Sequence, residues 1–99
     1  MRVLDIYTKL ADAGFARSQV EFSEVWLGRS KRYYSHLVAE GREPGLATLI
    51  ALEGRLRRQA GTQPESSSRN RLLEMSDELR SVIATRSVVD VRRHRPENP

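Results

Sequence analysis

Apolar residues recur at helical spacing along most of the chain, and glycine, serine and proline separate the stretches in which they recur. Apolar side chains three and four residues apart lie on one face of an α-helix, so the pattern predicts an all-α protein. The first predicted helix covers residues 3–13 and ends at Gly14, which can adopt the left-handed conformation of a helix cap. Its predicted inward side chains are Val3, Ile6, Tyr7, Leu10 and Ala11.

Two short helices follow, each opened by a serine and closed by a glycine. The hydroxyl of Ser18 can accept a hydrogen bond from the amide of Glu21, and the Glu21 carboxylate can return one. This second helix ends at Gly28, and Ser30 caps a third over residues 31–40. The predicted buried side chains are Phe22, Val25 and Trp26 in the second helix and Tyr34, Leu37 and Val38 in the third.

Proline suits the first turn of a helix, so Pro44 marks the start of a fourth predicted helix, which fades near residue 60. Glu53 interrupts its apolar face and either reaches an arginine or lies at the edge of the core. Residues 1–60 are therefore expected to form one domain, and 61–68 a linker. A fifth, amphipathic helix is predicted over 69–86, and a basic tail over 87–99, because the β-branched run at 88–91 breaks the helical period. The predicted core side chains of the fourth helix are Leu46, Leu49, Ile50, Leu52 and Leu56.

Composition excludes several classes of protein. There is no cysteine, which excludes disulfides and thiolate metal sites, and His36 and His94 lie on different elements, so we expect no metal or other cofactor. No phosphate-binding loop or nucleophile elbow is present, so we do not expect an enzyme. No apolar run reaches about 18 residues, and Asp5 and Lys9 interrupt the N-terminus, so we expect no membrane span, no signal peptide and a cytoplasmic location.

The charge distribution points to an anionic partner. The formal net charge is +4, and residues 28–39 contain no acid at all. With Tyr34 and Leu37 inward, a helical wheel places a cationic and small-residue face outward. Such a helix fits the DNA major groove, where arginine can pair with guanine; the alternative is an ordinary solvent-exposed helix. The predicted base-contacting residues are Lys31, Arg32, Ser35 and His36.

Residues around this helix are positioned for phosphate contacts, since the free amides and positive dipole end of a helix N-terminus suit an anion. These contacts would orient the protein without reading sequence. For Ser18, a capping role is compatible with a phosphate contact. The predicted phosphate-contacting residues are Arg17, Ser18, Gln19, Arg29, Ser30, Tyr33 and Arg42.

Ser18-Gln19, Gly28-Arg29-Ser30, Tyr34, Leu37, the run Pro44-Gly45-Leu46-Ala47-Thr48-Leu49 and Leu56 together resemble a known family. This is the Cro and phage-repressor type (xenobiotic-response-element-like) helix-turn-helix domain. In that family a serine-glutamine pair opens the second helix, a glycine makes the turn, and a proline-small-leucine stretch opens the helix after the recognition helix. Counted from Ser23, where the family has a small alanine, Gly28 comes one residue late.

The resemblance covers residues 3–56, roughly half of the chain. It implies a four-helix lambda-repressor-like helix-turn-helix domain, here followed by the C-terminal amphipathic helix. It also implies sequence-specific binding of double-stranded DNA and a role as a transcriptional regulator, a repressor by expectation. Gln19 would then contact phosphate, and Lys31, Arg32 and Ser35 would read bases.

The apolar face of the fifth helix must pack somewhere, since leaving it exposed forgoes about 1.5–3 kcal/mol per side chain. We expect it to form a homodimer, because two-fold dimers read two half-sites of DNA. The alternative is that the helix folds back and completes one bundle. The predicted dimer-interface residues are Leu72, Met75, Leu79, Val82 and Ile83.

Two other functions remain open. One is a protein–protein adaptor or inhibitor that uses the basic helical face on an acidic partner. The other is a non-specific nucleic-acid binder that uses the basic tail, whose affinity would fall steeply with salt and ignore sequence.

Overall fold

The computed structural model describes residues 2–93, and the surroundings of side chains over residues 2–88. Throughout residues 2–93 the regular structure is helical, without a strand, which confirms the all-α prediction for that part of the chain. None of the helices described is both long and apolar enough to cross a membrane. The helices are α1 (Val3–Asp12), α2 (Gln19–Glu21, continued by a π-helical turn, Phe22–Trp26), α3 (Tyr33–Glu40), α4 (Leu46–Gly61) and α5 (Ser67–Arg93).

Helix α1 buries one face and ends where the sequence predicts. Val3, Ile6 and Leu10 are buried, while Tyr7 is partly buried. Gly14 has φ +82°, so it supplies the left-handed backbone that turns the chain toward α2. This turn places the inner face of α1 against the short helices that follow.

An aromatic cluster joins α1, α2 and α3. The ring of Tyr7 lies 5.2 Å from that of Phe22 and 5.0 Å from that of Tyr34, measured between centroids. Phe22 and Tyr34 meet edge to face at 5.1 Å, the arrangement that aromatic quadrupoles favour. Three helices too short to be stable alone are thereby packed together.

Helix α5 folds back and shares one core with α1 and α4. Leu72, Met75 and Leu79 are almost completely buried, and Val82 and Ile83 pack against the same cluster. This placement corrects the expected dimer interface, because side chains buried within one chain are not available to a second copy. The alternative, in which the helix completes one bundle, describes the structure.

The ends of α4 and α5 differ from the sequence prediction. Helix α4 begins at Leu46, after a buried Pro44, and it continues through Gly61, so the connection to α5 spans only residues 62–66. Helix α5 continues through residues 87–93, where a break was expected. Valine lowers helix propensity by well under 1 kcal/mol per residue, which is too little to end an established helix. The remaining predicted tail, residues 94–99 with His94, lies outside the described residues.

Three apolar side chains predicted to be inward are exposed instead. Val25, Val38 and Ile50 are 57%, 50% and 51% exposed. Val25 lies within the π-helical turn, whereas Val38 and Ile50 belong to α-helices whose buried face is narrower than the apolar pattern suggests. Leu46 is only partly buried, whereas Leu49, Leu52 and Leu56 are buried as predicted.

Glu53 is buried between α4 and α5, and both of its carboxylate oxygens accept hydrogen bonds. One carboxylate oxygen accepts a hydrogen bond from Ser76 Oγ at 2.7 Å, and the other from Arg57 Nη2 at 2.9 Å. Of the two expectations for this residue, the structure selects the arginine contact and adds a serine on α5. A buried carboxylate with such partners fixes how the two helices pack.

Candidate functional site

The first turn of α2 is held by reciprocal hydrogen bonds, close to those predicted. The amide of Glu21 donates to Ser18 Oγ at 3.0 Å, as expected. The Glu21 carboxylate accepts from the amide of Arg17 at 3.0 Å, one residue before the capping serine. Arg17, Ser18 and Gln19 are all exposed at this corner.

The second half of α2 is wound more widely than an α-helix. The amide of Leu27 donates to the carbonyl of Phe22 at 2.9 Å, five residues back, and that of Arg29 to the carbonyl of Ser23 at 2.9 Å. A π-helical turn holds one residue more than an α-helical turn. Val25 therefore points to solvent while Trp26 and Leu27, which follow it, are buried.

Gly28 makes the bend between α2 and α3. Its φ of +67° lies in the left-handed region. A Cβ at this position would fall 2.7 Å from the Arg55 guanidinium, whose Nη1 donates to the carbonyl of Trp26 at 3.2 Å. A side chain from α4 thus lies directly against the bend.

Tyr34 fixes α3 to the rest of the fold. The amide of Tyr34 donates to Ser23 Oγ at 2.9 Å, and both residues are fully buried. Burial raises the pKa of Tyr34 to about 12, with smaller contributions from Tyr7, Glu43 and Asp5. Its hydroxyl has no hydrogen-bond partner among the described residues. Because Ser23 belongs to the π-helical turn, the start of α3 is attached to the widened part of α2.

Helix α3 begins later than predicted. The amide of Tyr33 donates to the backbone carbonyl of Ser30 at 3.0 Å, and Arg32 occupies the N-cap position without a side-chain cap. The expected capping by the Ser30 hydroxyl is therefore wrong. Lys31 and Arg32 lie in the turn that leads into α3 rather than in its first turn.

The four predicted base-contacting residues share an exposed surface, which we call the α3 outer face: Lys31, Arg32, Ser35 and His36, with the small Ala39. The Ser35 hydroxyl donates to the carbonyl of Arg32 at 3.0 Å, so its oxygen is left to accept hydrogen bonds. Among the side chains of residues 2–88, no ion pair involves Lys31 or Arg32. The face is cationic and open to solvent.

The predicted phosphate-contacting residues occupy different environments. The Arg29 guanidinium lies 4.7 Å from the centroid of the Tyr33 ring, a cation–π contact beside the α3 outer face. Arg42 is paired with Glu40 at 3.0 Å, so its charge is partly neutralised. Arg17, Ser18 and Gln19 are grouped at the start of α2 instead.

Sequence reasoning missed Arg55 and Arg58 of α4. Both line a groove beside Val25 and Trp26, at the end of the π-helical turn. In the sequence they belong to a mixed basic stretch of α4 and carry no motif. Only the packing of α4 against α2 brings them to the bend.

A family profile described as "Family of unknown function (DUF6626)" matches residues 3–92, almost the whole described chain. The chain belongs to this family. No curated protein and no solved structure gives a significant match.

Proposed function

We propose that this member of the DUF6626 family is a sequence-specific double-stranded DNA-binding protein that regulates transcription, with α3 in the major groove. The observation that carries the proposal is the α3 outer face. It combines exposed Lys31, Arg32, Ser35 and His36 with small Ala39, and no acid lies between Gly28 and Ala39. An α-helix with short and cationic side chains can approach base edges closely.

The position of the cations at the N-terminus of α3 also favours an anionic partner. A helix is stabilised by acids near its N-terminus and by bases near its C-terminus. Helix α3 has neither, and Lys31 and Arg32 lie at its positive end. This arrangement costs stability in the free protein, and a phosphate backbone would offset that cost.

The resemblance to phage repressors is compatible with the widened turn. The spacing from Ser23 to Gly28 is one residue longer than the corresponding spacing in that family. The π-helical turn at Phe22–Trp26 lies between the two and holds one residue more than an α-helical turn would. The extra residue is therefore accommodated inside α2, and this supports interpreting α2, the bend and α3 as a helix-turn-helix unit.

Within this proposal the side chains have separate tasks. Arg32 is suited to guanine, since a guanidinium can donate two parallel hydrogen bonds to that base. Ser35, whose proton is donated to the Arg32 carbonyl, would accept from an amino group of adenine or cytosine. Arg17, Gln19 and Arg29 would contact phosphates and orient the protein.

Two copies would bind two adjacent half-sites, because one domain of this size buries little DNA. The apolar seam of α5 is used inside the chain, so the copies would meet through another surface or through the DNA alone. Electrophoresis of a duplex with one or two half-sites measures the stoichiometry directly. A single copy on every enriched duplex would contradict the pairing.

The test is a selection from random duplexes followed by binding measurements on the enriched sequence. Arg32→Ala should cost roughly 1–3 kcal/mol on that sequence and relax preference at one base pair. Arg71→Ala removes another exposed arginine, from α5, and serves as the matched control, with preference unchanged.

Equal losses on enriched and random DNA would refute readout by Arg32. Failure to enrich any duplex would refute the proposed function, and if random DNA is not bound either, the result would favour the adaptor alternative. Enrichment of no sequence together with tight, salt-sensitive binding to all duplexes would instead identify a non-specific binder.

A further inference from the structure

Arg55 connects α4 to the end of the π-helical turn. Its Nη1 donates to the carbonyl of Trp26 at 3.2 Å, and the side chain is partly buried. The hydrogen bonds from the amides of Leu27 and Arg29 end on Phe22 and Ser23, so they do not occupy the Trp26 carbonyl. Arg55 therefore satisfies an acceptor that the widened turn leaves without a backbone donor in the described chain.

The same guanidinium fills the space beside Gly28. The two terminal nitrogens of Arg55 lie 2.7 and 3.1 Å from the position that a Cβ on Gly28 would occupy. One side chain thus contacts both the last carbonyl of the turn and the residue at which the chain bends. No described carboxylate is paired with Arg55, so this contact is its principal interaction.

The bend has a second attachment on its other side. Ser23 Oγ accepts from the amide of Tyr34 at 2.9 Å and ties α3 to the turn. With α3 attached to α2 by Ser23, and the end of α2 attached to α4 by Arg55, the direction of α3 is set relative to the body of the protein. Docking of a helix in a groove tolerates little misplacement if the base contacts are to form.

We propose that Arg55 is a positioning residue for DNA recognition: it sets the orientation of α3 and thereby the preference for specific over random duplex, without contacting a base. The inference rests on the proposed function. It assigns to α4 a part in specificity that the α3 outer face alone does not explain.

The experiment compares Arg55→Ala, Arg55→Lys and Arg58→Ala in the full chain. Arg58 lines the same groove one turn further along α4 and has the same charge, but it has no hydrogen bond to the bend among the described residues. Affinity is measured for the enriched duplex and for a random duplex at one salt concentration. A second measurement, amide hydrogen exchange by NMR, follows the Arg29 amide at the bend and the Met75 amide in the core.

Arg55→Ala should lower affinity for the enriched duplex roughly tenfold more than for random DNA, as expected for loss of a hydrogen bond to a charged group. The Arg29 amide should exchange faster while the Met75 amide does not change. Arg55→Lys, which keeps a charged donor, should restore part of both properties. Arg58→Ala should lower both affinities by the same factor.

Equal losses for the two alanine variants would overturn the proposal, since Arg55 would then act only as a charge. Unchanged exchange at Arg29 would overturn it as well. If wild type enriches no duplex, the proposed function fails, and faster exchange at Arg29 in Arg55→Ala would still show that Arg55 fixes the bend. If Arg55→Ala does not fold, the comparison of Arg55→Lys with wild type decides by the same two measurements.

Discussion

Replacing Gly28 with alanine tests how the bend between α2 and α3 is built. A left-handed conformation costs an L-residue about 1–2 kcal/mol. The new Cβ would also lie 2.7 Å from Arg55 Nη2, so the guanidinium must move away and lose its hydrogen bond to Trp26. A hydrogen bond from a charged donor contributes about 1.5 kcal/mol or more, so the total loss should be about 3 kcal/mol.

Gly41 provides the matched control. It ends α3 with φ +64°, nearly the same backbone conformation, but a Cβ there would have no neighbour within 4 Å. Gly41→Ala should therefore cost only the backbone term, about 1.5 kcal/mol. Urea unfolding followed by circular dichroism and by the fluorescence of Trp26, the single tryptophan, measures both values.

A double-mutant cycle separates the two contributions. In an Arg55→Ala background, Gly28→Ala should cost about 1.5 kcal/mol, because there is no guanidinium left to displace. Equal losses for Gly28→Ala and Gly41→Ala in the wild-type background would refute the reasoning. So would a difference between them that persists without Arg55.

Three further substitutions test the core. Tyr34→Phe should raise the free energy of unfolding by about 1 kcal/mol at neutral pH, because it removes a buried hydroxyl that has no partner among the described residues. The folded pKa of Tyr34 is raised from 10.0 to about 12, so above pH 10 the unfolded chain releases this proton first, and the free energy of unfolding of wild type falls as the pH rises toward 12. Tyr34→Phe has no such proton, so its urea midpoint should fall less than that of wild type across this range. Ser76→Ala should lower the free energy of unfolding in urea by about 1.5–3 kcal/mol, because the buried Glu53 carboxylate loses its 2.7 Å hydrogen bond. A loss below 0.5 kcal/mol would be no larger than that of ordinary surface substitutions, about ±0.5 kcal/mol, and would contradict a stabilising role for this hydrogen bond. Leu79→Glu should unfold the chain rather than yield a folded monomer, because Leu79 is 1% exposed and the new carboxylate would be buried without a partner. The control Val88→Glu, at a 52% exposed position, should be tolerated. If circular dichroism shows that Leu79→Glu is folded, the apolar face of α5 is not part of the core.

Features that depend on neighbouring residues could be read from the sequence. The glycines at 14 and 41 end helices because only a residue without a Cβ adopts positive φ without strain. Ser18 caps α2 because its hydroxyl reaches an amide three residues on. The α3 outer face follows from helical geometry once Tyr34 and Leu37 are recognised as inward.

Features that depend on distant parts of the chain could not be predicted from the sequence. The π-helical turn is a matter of one extra residue, and apolar periodicity does not distinguish it from an α-helical turn, so Val25 was assigned inward and is exposed. An apolar seam on α5 can be buried in its own chain or against a copy, and only the fold shows that α1 and α4 already cover it. The sequence by itself determined where most helices end and which side of α3 is cationic, because those properties arise from residues within a turn or two of each other. The tertiary structure decided that Arg55 reaches the Trp26 carbonyl and that Glu53 accepts from Ser76, because those partners lie 29 and 23 residues away along the chain.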